Sequence, residues 1–154
     1  MPPNPLIDFP SEAPIGSLRN RSVLAYAALF RYGLFMRLRL ENLPLFLREQ
    51  GDVLGRCLDA FDRLTPVRLV YLFGSHVRGE ARLDSDVDLC IVAEGAERQQ
   101  DTARRYREAI WDIWPRPSLT LIPIAPARLA EKQALGDHFF ASILKEGVLL
   151  ASEN

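Results

Sequence analysis

The segment Tyr71-Leu72-Phe73-Gly74-Ser75-His76-Val77-Arg78-Gly79, followed by Ser85-Asp86-Val87-Asp88-Leu89, constrains this chain more than any other part of it. Val67, Leu69, Val70, Leu72 and Phe73 form a short apolar run rich in β-formers, with Pro66 before it and Gly74 after it. A run of that length between two breakers reads as a buried strand. Ten residues separate Ser75 from Asp86, after which a second apolar run begins at Val87. Side chains two apart on a strand point the same way, so Asp86 and Asp88 share one face while Val87, Leu89 and Ile91 share the other.

Each part has a chemical reason. Glycine lets the backbone turn sharply and approach a ligand closely, and the amides that follow Gly74 form a donor cluster suited to phosphate oxygens, to which Ser75 adds a hydroxyl. Two acids side by side on a core strand repel one another and cost desolvation, which makes sense where a hard divalent cation sits between them. Mg2+ fits best, because it favours carboxylate oxygens, keeps several waters and is commonly completed by substrate phosphates. Arg78 lies where a guanidinium would offset triphosphate charge, and equally where it would pair with Glu80 or Asp84. The layout is that of a site for a metal-bound nucleoside triphosphate.

These residues resemble the minimal nucleotidyltransferases of the DNA polymerase β superfamily, whose signature is Gly-Ser, about ten residues, then Asp-x-Asp. Gly74, Ser75, Asp86 and Asp88 fill those positions, and Arg78, Gly79 and Ser85 match the flanking pattern. The order of elements from about Leu43 to Leu150 is also similar to the family's. The resemblance implies an α/β (α+β) fold, a small mixed twisted sheet flanked by helices. It further implies metal-dependent transfer of a nucleoside monophosphate, AMP from ATP, to an acceptor hydroxyl. Asp86 and Asp88 would be the catalytic, Mg2+-binding pair, and Gly74, Ser75 and Arg78 would bind the nucleotide. Members this short often resemble antitoxins that modify a helical HEPN-type partner, so a partner-protein acceptor in a toxin–antitoxin pair is expected. A chain with no second domain to shape a small-molecule pocket favours the same expectation.

One position departs from the family pattern. The family carries a third carboxylate on the next strand, here Ser118 to Ile124, where Thr120 stands closest to the expected place; no Asp or Glu occurs from Ile113 to Ala130. Threonine cannot carry negative charge or act as a base at neutral pH. Three outcomes stay open on the sequence. Asp84, Glu80 or Asp112 could fill in, the acceptor or partner could supply the group, or the chain could be a weak or inactive module that binds nucleotide and partner.

Length, charge and hydropathy set the remaining bounds. At 154 residues, 48% hydrophobic and with a net charge of −1, the chain is long enough for a proper core and lacks a strongly basic nucleic-acid surface. Cys57 and Cys90 are expected as buried thiols in a reducing compartment, and a cytoplasmic location is expected. Residues 1–42 read as an N-terminal extension and 43–150 as the nucleotidyltransferase domain. Six prolines and glycines within 1–17 forbid a regular element there, and a helix is expected from Ser17 or Asn20 to about Arg39. Its apolar stretch is interrupted by Arg31 and is too short for a bilayer. Met36 offers a second start, which would make 1–35 either a lineage-specific extension or a reading-frame artefact.

Helical spacing predicts further helices over Pro44 to Leu64, Ala96 to Trp114, a short one from Pro126, and Asp137 to Glu146, followed by a short strand. Trp111, Trp114 and Phe139 are expected as core or subunit-contact residues. His76 and His138 are expected in ordinary polar surroundings, and the arginines at 104, 105 and 107 on a solvated helix face.

Overall fold

A computed structural model describes residues 36–154. The proline-rich arm and the body of the helix expected from Ser17 or Asn20 lie outside the described residues. Where that helix was expected to end, the chain is instead extended: β1, Met36–Leu38, pairs antiparallel with the last strand. Two short 3-10 turns, Leu40–Asn42 and Leu45–Gln50, then lead into α1, Gly51–Leu64.

The remaining elements follow the predicted order. They are β2, Val67–Phe73; a single-turn α2, Ser75–Arg78; β3, Val87–Ala93; α3, Gln99–Ala109; β4, Leu119–Ile124; α4, Pro126–Ala134; α5, His138–Glu146; and β5, Val148–Glu153. The five strands form one mixed sheet in the order β1-β5-β2-β3-β4, in which only β3 and β4 run parallel. The protein is therefore an α+β fold with helices on both faces of a central sheet, consistent with a polymerase-β-like core. Among the described residues no helix is long and apolar enough to cross a membrane.

The sheet divides the core in two, and the alternation of β3 decides which side holds what. Val87, Leu89, Ile91 and Ala93 join Leu54, Cys57, Leu58 and Phe61 of α1 and Ala103 and Tyr106 of α3 in the larger cluster. Cys90 and Val92 face the other way, into a smaller cluster with Ile124, Leu129 of α4, and Phe140 and Ile143 of α5. Asp88 has the same parity as Cys90 and Val92, so it belongs to the α4/α5 side. Both faces of β3 are covered, which is why it reads as a nearly unbroken apolar run. A bulge between Val67 and Leu69 shifts β2 so that Val70 and Leu72 enter the larger cluster while Tyr71 and Phe73 turn to the smaller.

Element ends follow local chemistry. Pro126 occupies the first turn of α4, where its missing N–H costs nothing. Asp137 caps α5 by accepting from the Phe140 N–H at 3.2 Å and is held by Lys132 Nζ at 2.9 Å. Helix α3 stops at Ala109, short of the predicted Trp114, and the chain turns through residues 110–118. Trp111 and Trp114 thus leave the helical face and stand 76% and 73% exposed, which removes the core alternative of their expected core or subunit-contact place. Cys57 and Cys90 are buried as expected, and burial pushes the Cys90 thiol up to about 12.

Candidate active site

The turn after β2 is tighter than its sequence alone requires. Gly74 has φ 76° and ψ −149°, a conformation open essentially to glycine. A Cβ at this position would also overlap Asp88 Oδ2. The carboxylate therefore lies directly against the Gly74 backbone, which only a residue without a side chain permits. The register explains the approach, since Phe73 is the antiparallel partner of Asp88 and the turn folds back over that pair.

Within the turn, Val77 N–H and Arg78 N–H both donate to Gly74 O, at 3.1 and 3.2 Å. That leaves the first amides of the turn, on Ser75 and His76, for an outside acceptor. Arg78 pairs with Glu80 through Nε at 2.9 Å, and both are exposed. His76 turns away, with Nε2 3.5 Å from Ser85 O, and lines a separate groove together with Asp84, Ser85 and Trp114.

The carboxylates sit at the start of β3. Asp86 immediately precedes the strand and is exposed; Asp88 is half-buried beside its parallel partner Thr120. Thr120 links the pair, because its Oγ1 donates to Asp86 Oδ2 at 3.5 Å. Among the described residues no three His, Cys, Asp or Glu side chains come together as a metal cluster. Asp84, Glu80 and Asp112 therefore do not join Asp86 and Asp88: Asp84 lines the His76 groove and Glu80 is taken by Arg78.

A cleft of about 350 Å³ opens between this edge of the sheet and α5. Gly74, Arg78, Asp88 and Thr120 form one end, and Phe73, Ile122, Phe139 and Ile143 give it an apolar wall. Ser142, Glu146 and Gly147 line it from the α5 side. Of the predicted site residues, Gly74, Arg78 and Asp88 line the cleft, Asp86 is joined to it through Thr120, and Ser75 begins the adjoining turn. Phe139 is 47% exposed at the cleft, edge-on to Phe73 at 5.7 Å between ring centres.

Sequence reasoning did not select Ser142 or Glu146. They lie more than fifty residues from Asp88 and reach it only because α5 packs on β2. Gly147 allows that contact: a Cβ there would meet Ile143 O, and would come within 3.2 Å of Leu72 O. One signal was available, an acid in the last turn of a helix, where the macrodipole disfavours negative charge.

The donor set of two carboxylates and a hydroxyl suits a hard cation that completes its shell with water and phosphate oxygens. No curated protein and no solved structure matches the chain. The family model described as nucleotidyltransferase domain does match it, over residues 54–146, a span that takes in the Gly74 turn, both aspartates, Thr120 and the cleft lining except Gly147. The chain belongs to the nucleotidyltransferase-domain family.

Proposed function

We propose that the protein transfers a nucleoside monophosphate, AMP from ATP, to an acceptor hydroxyl on a partner protein, with Mg2+ as the metal. The observation that carries this reading is the seating of Asp88 against the Gly74 backbone, beside Asp86, inside the span matched by the family model. That contact supports one ligand meeting both the Asp88 carboxylate and the Gly74 turn. The Ser75 and His76 amides and the Ser75 hydroxyl bind phosphate oxygens, while Arg78 exchanges Glu80 for the triphosphate. Asp86 and Asp88 hold the Mg2+, which when bound neutralises charge on the phosphates. Catalysis then comes mainly from positioning and charge neutralisation.

The proposed partner is a helical protein of the HEPN type, the pair acting as toxin and antitoxin; resemblance to minimal nucleotidyltransferases supports it. A second reading rests on Thr120. Thr120 is in register with Asp88 on the strand where the resemblance leads one to expect a third carboxylate, and that supports a module that binds nucleotide and partner with little turnover.

Co-expression with the protein encoded next to this one separates the two readings. Intact mass of that neighbour is expected to rise by nucleotidyl units with the wild-type chain and to stay unchanged with Asp86→Ala. An unmodified neighbour that still co-purifies with both would replace the transferase by the binding module.

A further inference from the structure

We propose that the groove beside Trp114 is the docking site of the partner protein, seating it so that its acceptor hydroxyl arrives at Asp86. The inference rests on the nucleotidyl-transfer reading above and adds to it the surface that receives the acceptor.

The groove, of about 600 Å³, is built from the 3-10 turn Leu45–Gln50, the first two turns of α1, the loop 83–85 and the segment 114–118. Its position relative to the site is fixed by the chain. Ser85 and Val87 both line it, and the exposed Asp86 is the residue between them. Val87 N–H donates to Ser118 O at 2.8 Å, so the loop before β3 and the segment before β4 meet in the groove floor. A chain seated there lies next to the Asp86 carboxylate.

Three observations give the occupant its chemistry. The first is apolar exposure: Leu83 and Trp114 line the groove, while Leu45, Phe46 and Trp111 stand on the turns that build or adjoin it. Five of the seven exposed large apolar side chains among the described residues therefore fall in one region. Apolar exposure gathered in this way marks a protein interface, and tryptophan is the commonest anchor of one. The second is Gln50, which lines the groove and whose buried Oε1 accepts no hydrogen bond among the described residues. A buried acceptor left unpaired is costly, and an N–H or O–H donor from the occupant would satisfy it. The third is charge. Glu49, Asp52 and Asp84 share the groove with Arg56 and Arg116, and none of the five forms an ion pair among the described residues. That mixture complements a polypeptide carrying both signs, whereas the three acids would repel a nucleic-acid backbone. The place beside Asp86 then selects which polypeptide, because transfer requires the acceptor-bearing chain to be held at this carboxylate.

The test uses the full chain co-expressed with the protein encoded next to it, with the photo-crosslinker benzoylphenylalanine placed at position 114 or, as a control, at position 135. Leu135 is 75% exposed at the end of α4 and does not line the groove. Position 114 is expected to crosslink to the neighbour and position 135 is not. Trp114→Ala is expected to weaken binding of the purified neighbour about thirtyfold and to slow its mass gain, and Leu83→Glu to act in the same direction. In both variants Tm, its rise with MgATP, and AMP formation from MgATP with water as acceptor, followed in single turnovers, are expected at wild-type values. Leu135→Glu is expected to leave binding and mass gain unchanged. Wild-type affinity in both groove variants would overturn the docking site; so would a crosslink from 114 to a second copy of this chain, or no preference for 114 over 135. A neighbour that neither binds nor gains mass would overturn the parent reading and the docking site with it. One that crosslinks at 114 yet gains no mass would overturn the transfer alone and uphold the docking site.

Discussion

Gly74 and Asp88 constrain one another more tightly than any other pair in the site. An L side chain at 74 meets two penalties, a strained backbone and overlap with Asp88 Oδ2. Gly74→Ala is expected to cost about 1–3 kcal/mol of stability and to push the Asp88 carboxylate off the turn. Urea denaturation reads the first effect and loss of the MgATP-induced Tm shift reads the second. Thr120 invites the converse substitution. Thr120→Asp adds an acid in register with Asp88 and beside Asp86, and is expected to raise AMP formation by strengthening the hold on metal. The aspartate pair was legible in the sequence because period-two alternation is a local property. Glu146 was not, because its partner surface comes from residues far away in the chain.

At the scale of elements, strands bounded by breakers were easier to read than helix ends, whereas β1, which has no such boundary, lay where a helix was expected. Apolar runs closed by Pro66 and Gly74 have sharp edges, so β2 matches its sequence signal residue for residue. Helix α3 carries apolar residues past its end, and the turns at 110–114 take Trp111 and Trp114 out of register. These are the chain's two tryptophans. Acrylamide is accordingly expected to quench native fluorescence almost as efficiently as it does in the unfolded chain, whereas a buried tryptophan would be protected.

The α1–β2 junction makes a different prediction. Asp62 accepts from Val67 N–H at 2.9 Å, and burial holds its carboxyl above the ordinary value despite that bond. A raised folded pKa means that the unfolded chain ionises first. The stabilising influence of the protonated form is fully present below the unfolded value near pH 4 and is lost as pH rises through the folded one. Asp62→Asn keeps an acceptor oxygen for Val67 and removes the charge. It is expected to raise Tm at pH 7 and to lose that advantage below about pH 4, which melting across pH 3–8 would record.

In the whole molecule, the sheet is a partition with different work on its two faces. The α1/α3 side is a continuous apolar core that includes the buried Tyr106, bonded to Thr65 and pushed up to about 12 by burial. The α4/α5 side has a smaller core, and it opens into the cleft at the Asp88 end. The layers and strand order follow from hydrophobic pattern and turn chemistry, whereas the cleft depends on how closely α5 settles onto β2. Ligand binding should therefore stabilise the molecule as a unit, because one wall of the site comes from β2 to β4 and the other from α5. A ligand specific for the folded state adds about 2.7 kcal/mol at a hundredfold excess over Kd, which corresponds to several degrees of Tm at this chain length. MgATP is expected to produce that rise in the wild-type chain and none in Asp86→Asn/Asp88→Asn. Circular dichroism should show one transition with and without ligand. Two separated transitions, with only the later one moved by MgATP, would mean that α5 and the sheet do not fold as one body and that the cleft forms only on binding.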